Sequence, residues 1–142
     1  MDAPPVVGVL EALEALPLDE LVAGELGAVL RSAALMRGRL DAVEARALAP
    51  FVRVGGHRVD GATDASSWLA AVAKLSGRDA HRVVKRAALV EVLPVLGDAL
   101  VVGALSVSQV DVIAAIVPAA LWPKAGELAT AALVSTPEVL RL

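Results

Sequence analysis

The chain has 142 residues, a net charge of −3, 57% hydrophobic residues and no cysteine. That length can hold one domain with a real core, and the lack of cysteine excludes disulfides and thiolate metal sites. The apolar excess is Ala, Val and Leu rather than aromatics, with one Phe, two Trp and no Tyr, which suits closely packed helices.

Val6–Leu16 reads as a short helix that ends before Pro17. The run it opens, "MDAPPVVGVLEALEALP", carries acids where a secretory signal needs a basic start. A cytoplasmic location is therefore expected. From Asp19 the pattern becomes strongly periodic. Val22, Leu26, Val29, Ala33, Met36, Leu40, Val43 and Ala47 step by alternating fours and threes, the spacing of an apolar helix stripe. Glu25, Arg31, Arg37, Arg39, Asp41, Glu44 and Arg46 supply the wet face. A helix of about 30 residues would be about 45 Å long. Pro50 is expected to end or kink it near Ala49.

"VRVGGHRVDGATD" then reads as a loop with a short extended piece. Thr63 or Asp64 can cap a helix over Ala65–Leu75, and Gly77 stands where a helix-ending glycine belongs. A basic helix follows from about Asp79 to Leu93. Pro94 opens a short helix that Gly103 stops. Ser106 and Gln109 have capping-box spacing ahead of a helix over Val107–Val117. Pro123 starts another to about Val134, and Pro137 one more. The expected fold is all-α: a multi-helix bundle in one domain, 1–142, whole or cut short. It has one long N-terminal amphipathic helix (about 19–49), a helix-turn-helix-like pair (about 64–93) and C-terminal helices (94–142).

The mean hydropathy of +0.70 raises the question of a membrane. Ala99–Pro123 is long enough to cross one. Its middle reads "SVSQVD", however, and Gly103 and Pro118 interrupt it. A central Asp beside Gln and Ser is costly in lipid, so two buried helices fit better than a span.

The basic helix is the candidate functional surface. Arg78, Arg82, Lys85 and Arg86 fall within nine residues. On a helical wheel they share an arc of about 100°, with His81 just outside it. Ala80, Val83, Val84, Ala87 and Val90 take the opposite side. Residues 71–95 sum to +3 while the rest of the chain sums to −6, and segregated positive charge attracts polyanions. A recognition helix reads duplex DNA with its N-terminal turns, which here are the basic ones. Ala73 before Gly77 and Val83 after it match helix-turn-helix spacing, while Arg86 stands where an apolar residue is wanted. Lys74, Arg78, His81, Arg82, Lys85 and Arg86 are the candidate nucleic-acid contacts, with double-stranded DNA as the partner. The bland alternative is a solvated helix face. No aromatics interleave the cations, which disfavours single-strand stacking.

Catalytic patterns are missing. His57 and His81 are the only histidines and stand 24 apart. No HExxH, GxSxG, GxxxxGK or GxGxxG is present. Asp60 and Asp64 near His57 are a thin basis for a metal site, and loop polar groups and caps explain them better. No catalytic residue, metal or cofactor is expected. Trp68 and Trp122 read as core anchors.

The stretch from Asp60 to Ile116 resembles a bacterial helical family, the domain of unknown function 222, also called the 13E12 repeat family. The matching pieces are "DGA" at Asp60–Ala62, "WLA" at Trp68–Ala70, "SGRDAHRVVKRA" at Ser76–Ala87, "LP" at Leu93–Pro94 and "GALSVSQ" at Gly103–Gln109. "RLDAVEARAL" at Arg39–Leu48 also resembles the family's long first helix. The resemblance implies a helical domain that commonly precedes a C-terminal HNH endonuclease module. The metal-binding histidines of such a module have no counterpart here, so no nuclease role passes to any residue. What the resemblance implies for this chain is positioning on DNA, or assembly.

Two functional classes follow. One is a DNA-associated module acting through the basic helix. The other is a structural or oligomerisation module, in which the stripe Val22, Leu26, Val29, Met36, Leu40 and Val43 pairs with its own copy or a second protein. Leu128, Leu133 and Val134 would then want cover as well. Against this stands the reading in which the stripe packs inside its own bundle, since that spacing also serves bundle helices.

Overall fold

The computed structural model describes residues 5–124. Those residues are helical throughout their regular structure, with no strand among them, so the chain is all-α. It divides into two compact units, one up to Ala34 and one from Leu35. The expected helices beyond Lys124, with Leu128, Leu133 and Val134, lie outside the described residues.

The first unit opens with α1, Pro5–Glu14. A single 3-10 turn, Leu18–Glu20, follows Pro17. The long helix does not begin at Asp19 as the periodicity suggests. Leu21 is extended, and α2 runs Ala23–Arg53, 31 residues. The reason is local: the Glu25 carboxylate accepts the Val22 N–H at 3.2 Å, which caps the helix start and sets an acid against the positive end of its dipole. Of residues 8–34, none is buried.

The second unit takes the later part of α2. Pro50 does not end the helix at Ala49. α2 continues to Arg53, and the Pro50 carbonyl accepts from the Val54 N–H at 3.1 Å. Proline here forfeits the bond its N–H would make to the Arg46 carbonyl, and the helix carries on for one more turn. Gly55 then takes the left-handed conformation at φ 75°. The expected extended piece is instead one helical turn, α3, Gly56–Val59. A Cβ on Gly56 would lie 2.1 Å from the Phe51 ring, so only glycine fits. Phe51 packs on Trp68 with ring centroids 4.4 Å apart.

Asp64, rather than Thr63, caps α4, Ala65–Ala73, by accepting the Ser67 N–H at 2.7 Å. α4 stops two residues early because Lys74 turns left-handed, φ 55°, and the Leu75 N–H reaches back to the Ala70 carbonyl at 3.0 Å. That closure usually falls to glycine. Gly77 is not the turn residue. Ser76 caps α5 through the Asp79 N–H at 3.0 Å, so Gly77 is already the first residue of α5, Gly77–Val92. α6, Pro94–Val102, follows directly and ends at Gly103, φ 76°. α7, Val107–Ile116, carries the full Ser106/Gln109 capping box. A 3-10 turn, Ala119–Leu121, then leads to the buried Trp122.

The core is Leu89, Leu96, Leu100 and Val110, fully buried, with Ala42, Ala45 and Leu48 from α2. α2 and α6 meet through small residues. A Cβ on Gly38 would come within 2.7 Å of the Leu100 carbonyl oxygen. The stripe read from the sequence is not this face: Leu40 and Val43 stay 48% and 63% exposed, and Ala47 is exposed too. Packing of the stripe inside its own bundle therefore does not hold for these residues. Backbones can approach closely only where side chains are small, so the Gly38–Ala42–Ala45 side won. Among the described residues, no helix is long and apolar enough to cross a membrane.

Candidate nucleic-acid interface

α4, the short turn through Lys74 and Ser76, and α5 bring the basic residues to one side of α5. Lys74, Arg78, His81, Arg82 and Lys85 are all exposed. Arg78, His81, Arg82 and Lys85 line a shallow groove of about 220 Å³ against α7, whose Asp111, Ala114 and Ala115 form its other wall. Lys74 sits in the turn before α5 and is not part of that lining. Arg82 approaches the Asp79 carboxylate at 3.7 Å, with its side chain 49% exposed. A contact that long, at such exposure, does little to hold the guanidinium.

Arg86, expected among the surface cations, is buried instead. It is 7% exposed. Its Nε and Nη2 donate to the two carboxylate oxygens of Asp111 at 2.7 and 2.8 Å. A planar guanidinium and a carboxylate match in this two-bond fork. Arg86 lies at the edge of the basic arc, where the helix turns toward α7, so its charge is spent inside the protein. The arc left for a ligand narrows to Arg78, Arg82 and Lys85, about 60° wide.

Two further acids stand near this pair on α2. Burial raises the Asp41 carboxyl above its usual value of 3.8, an effect that Arg86 opposes and Asp111 reinforces. Burial likewise raises Glu44 above 4.5, with Asp41 adding to the rise and Arg86 opposing it. Arg86 bonds to Asp111, and its charge partly offsets the rise at Asp41 and Glu44. Asp111 had a legible signal, as the lone charge of a long apolar run; Asp41 and Glu44 had none beyond their helical spacing.

The remaining polar loop groups have local work. Asp60 accepts from the Trp68 indole at 2.7 Å. Asp64 caps α4, and its hydrogen bonds to Ser67 lower its carboxyl below the usual 3.8. His57 is buried, and its Nδ1 makes no hydrogen bond. No group of three or more His, Asp or Glu among the described residues is placed to hold a metal ion.

Fold and groove together define an all-helical chain that presents a cationic groove between two helices. The chain matches no family model, no curated protein and no solved structure.

Proposed function

We propose that this chain is a non-catalytic helical module that contacts duplex DNA through the opening turns of α5. The observation that carries the proposal is the groove itself. Three cations and His81 converge on it, while the carboxylate in its wall, Asp111, is already neutralised by Arg86. Phosphates would meet Arg78, Arg82 and Lys85, with Lys74 and His81 at the margin. The resemblance to the 13E12 repeat family, which implies positioning on DNA or assembly, accords with this reading and equally with self-association.

With Arg86 withdrawn, about three phosphates are neutralised rather than four. The log–log dependence of duplex affinity on salt should then have a slope near −2.7, from about −0.9 per phosphate. Fluorescence anisotropy with a labelled duplex across a salt series measures it. A flat salt response, or binding that survives Arg78→Glu with Arg82→Glu and Lys85→Glu, removes the proposal.

A second reading, self-association through α2, is favoured by the exposure of Leu40 and Val43. Sedimentation at several concentrations, with Val43→Glu beside the parent chain, tests it: a strict monomer ends that reading.

A further inference from the structure

The first unit poses a problem that the groove can answer. None of residues 8–34 is buried, and Leu10, Leu18 and Val22 are 37%, 46% and 64% exposed. α1 has only 10 residues, and a helix of that length is marginal in water without packing. The same stretch is acidic. From Glu11 to Glu25 the chain carries Glu11, Glu14, Asp19, Glu20 and Glu25, all exposed, with no Lys or Arg among them. Glu11 and Glu14 share a face of α1 at three-residue spacing. Asp19 and Glu20 project from the 3-10 turn that follows.

The α5–α7 groove has the complementary character. Arg78, Arg82 and Lys85 give it positive charge, and Ala114 and Ala115 give it a small-residue floor. An arm with five acids and no Lys or Arg fits a groove lined by Arg78, Arg82 and Lys85. Complementary potentials of this kind select a partner and speed its approach.

We propose that the Glu11–Glu25 arm of one copy docks in the α5–α7 groove of a second copy. Its carboxylates take the positions that phosphates would take on DNA, so the arm holds the groove when no duplex is present. Reciprocal docking closes a dimer, and one-directional docking extends a chain of copies. The contact is measured without DNA, so it and the DNA proposal can fail separately.

Sedimentation of the full chain over a concentration series, at low and moderate salt, is the first measurement. Association should grow with concentration and weaken as salt screens the charges. Two charge-reversed variants carry the decision. Glu14→Lys with Asp19→Lys and Glu20→Lys reverses the arm. Arg78→Glu with Arg82→Glu and Lys85→Glu reverses the groove. Each alone should weaken association by roughly a hundredfold or more, because like charges now face each other. Mixed together, the two variants should associate again, since each then offers an arm that suits the other's groove.

All six positions are exposed, so helix content by circular dichroism should match the parent. If a variant loses helix, Arg78→Gln with Arg82→Gln and Lys85→Gln serves instead, with weakening in place of reversal. The proposal is overturned by a parent chain that stays monomeric at every concentration. It is equally overturned by association that ignores both reversals, which would point to the Leu40 and Val43 surface, or by failure of the mixture to recover.

Discussion

Arg86 carries the clearest lesson at the scale of single residues. Its side chain is 8% exposed and that of Asp111 is 17%, so each charge depends on the other for the hydration it has lost. Removing one partner strands the second. Arg86→Ala should therefore cost about 3–5 kcal/mol of stability. Arg78→Ala, at an exposed position outside every ion pair among the described residues, should stay within about 0.5 kcal/mol. Replacing both partners, Arg86→Met with Asp111→Leu, should recover most of the loss, because the buried ion pair gives little net stability over an apolar pair. Urea denaturation of the three variants measures this, and an Arg86→Ala chain as stable as the parent would refute it. The pair was half legible in the sequence. Asp111 stands alone in an apolar run, and Arg86 occupies a position where helix-turn-helix spacing wants an apolar residue. Both oddities have one cause, since each residue is buried and needs the other. The sequence carries no mark that joins positions 86 and 111, which is why Arg86 read as a surface cation.

At the scale of elements, short-range chemistry was the most legible. Ser106 with Gln109, Asp64 before α4, and Pro94 and Gly103 around α6 all act where their side-chain chemistry says they should. The face of α2 was not legible, because two apolar stripes compete on it. The larger side chains, Leu40 and Val43, stay exposed while Ala42 and Ala45 are buried and Gly38 lies against the Leu100 carbonyl of α6. A periodicity count weighs side-chain size toward the core, while close helix contact weighs against it. Rotating α2 this way also half-buries Asp41 and Glu44, and that has a pH consequence. Both carboxyls are raised in the folded chain, so folding tightens their hold on protons. Their contribution to stability is fully present below the ordinary values of 3.8 and 4.5, and is lost as pH rises through the raised folded values. Asp64 runs the other way: its carboxyl is lowered, so its contribution is present above 3.8 and lost as pH falls through the folded value. The urea midpoint should thus fall as pH rises above the ordinary values of 3.8 and 4.5. Asp41→Asn with Glu44→Gln should flatten that fall. A midpoint that climbs over the same range would contradict the assignment.

At the scale of the whole molecule, the chain divides into two compact units. α2 is continuous from Ala23 to Arg53, yet the chain divides within it, between Ala34 and Leu35. A heptad pattern reports that a helix exists; it does not report how much of that helix is covered. Coverage sets local stability, because amides open at a cost that follows the apolar contacts broken. In the first unit none of residues 8–34 is buried. In the second, α2 contributes Ala42, Ala45 and Leu48 to a core that includes Leu89, Leu96 and Leu100. Protection from amide hydrogen exchange should therefore step upward along one unbroken helix. Amides before Ala34 should exchange near the rate of a fraying helix, and those from Ala42 to Leu48 should approach the protection of α5 and α6. Exchange followed at peptide resolution on dilute protein shows whether the step is there. The same measurement at high concentration adds a second reading, since an arm seated in a neighbour's groove would gain protection from Glu11 to Glu25 while Ala42–Leu48 stayed as it was. Uniform protection along α2 in dilute solution would mean that the first unit is held as firmly as the core, and its exposed acids and leucines would then need no partner to keep them folded.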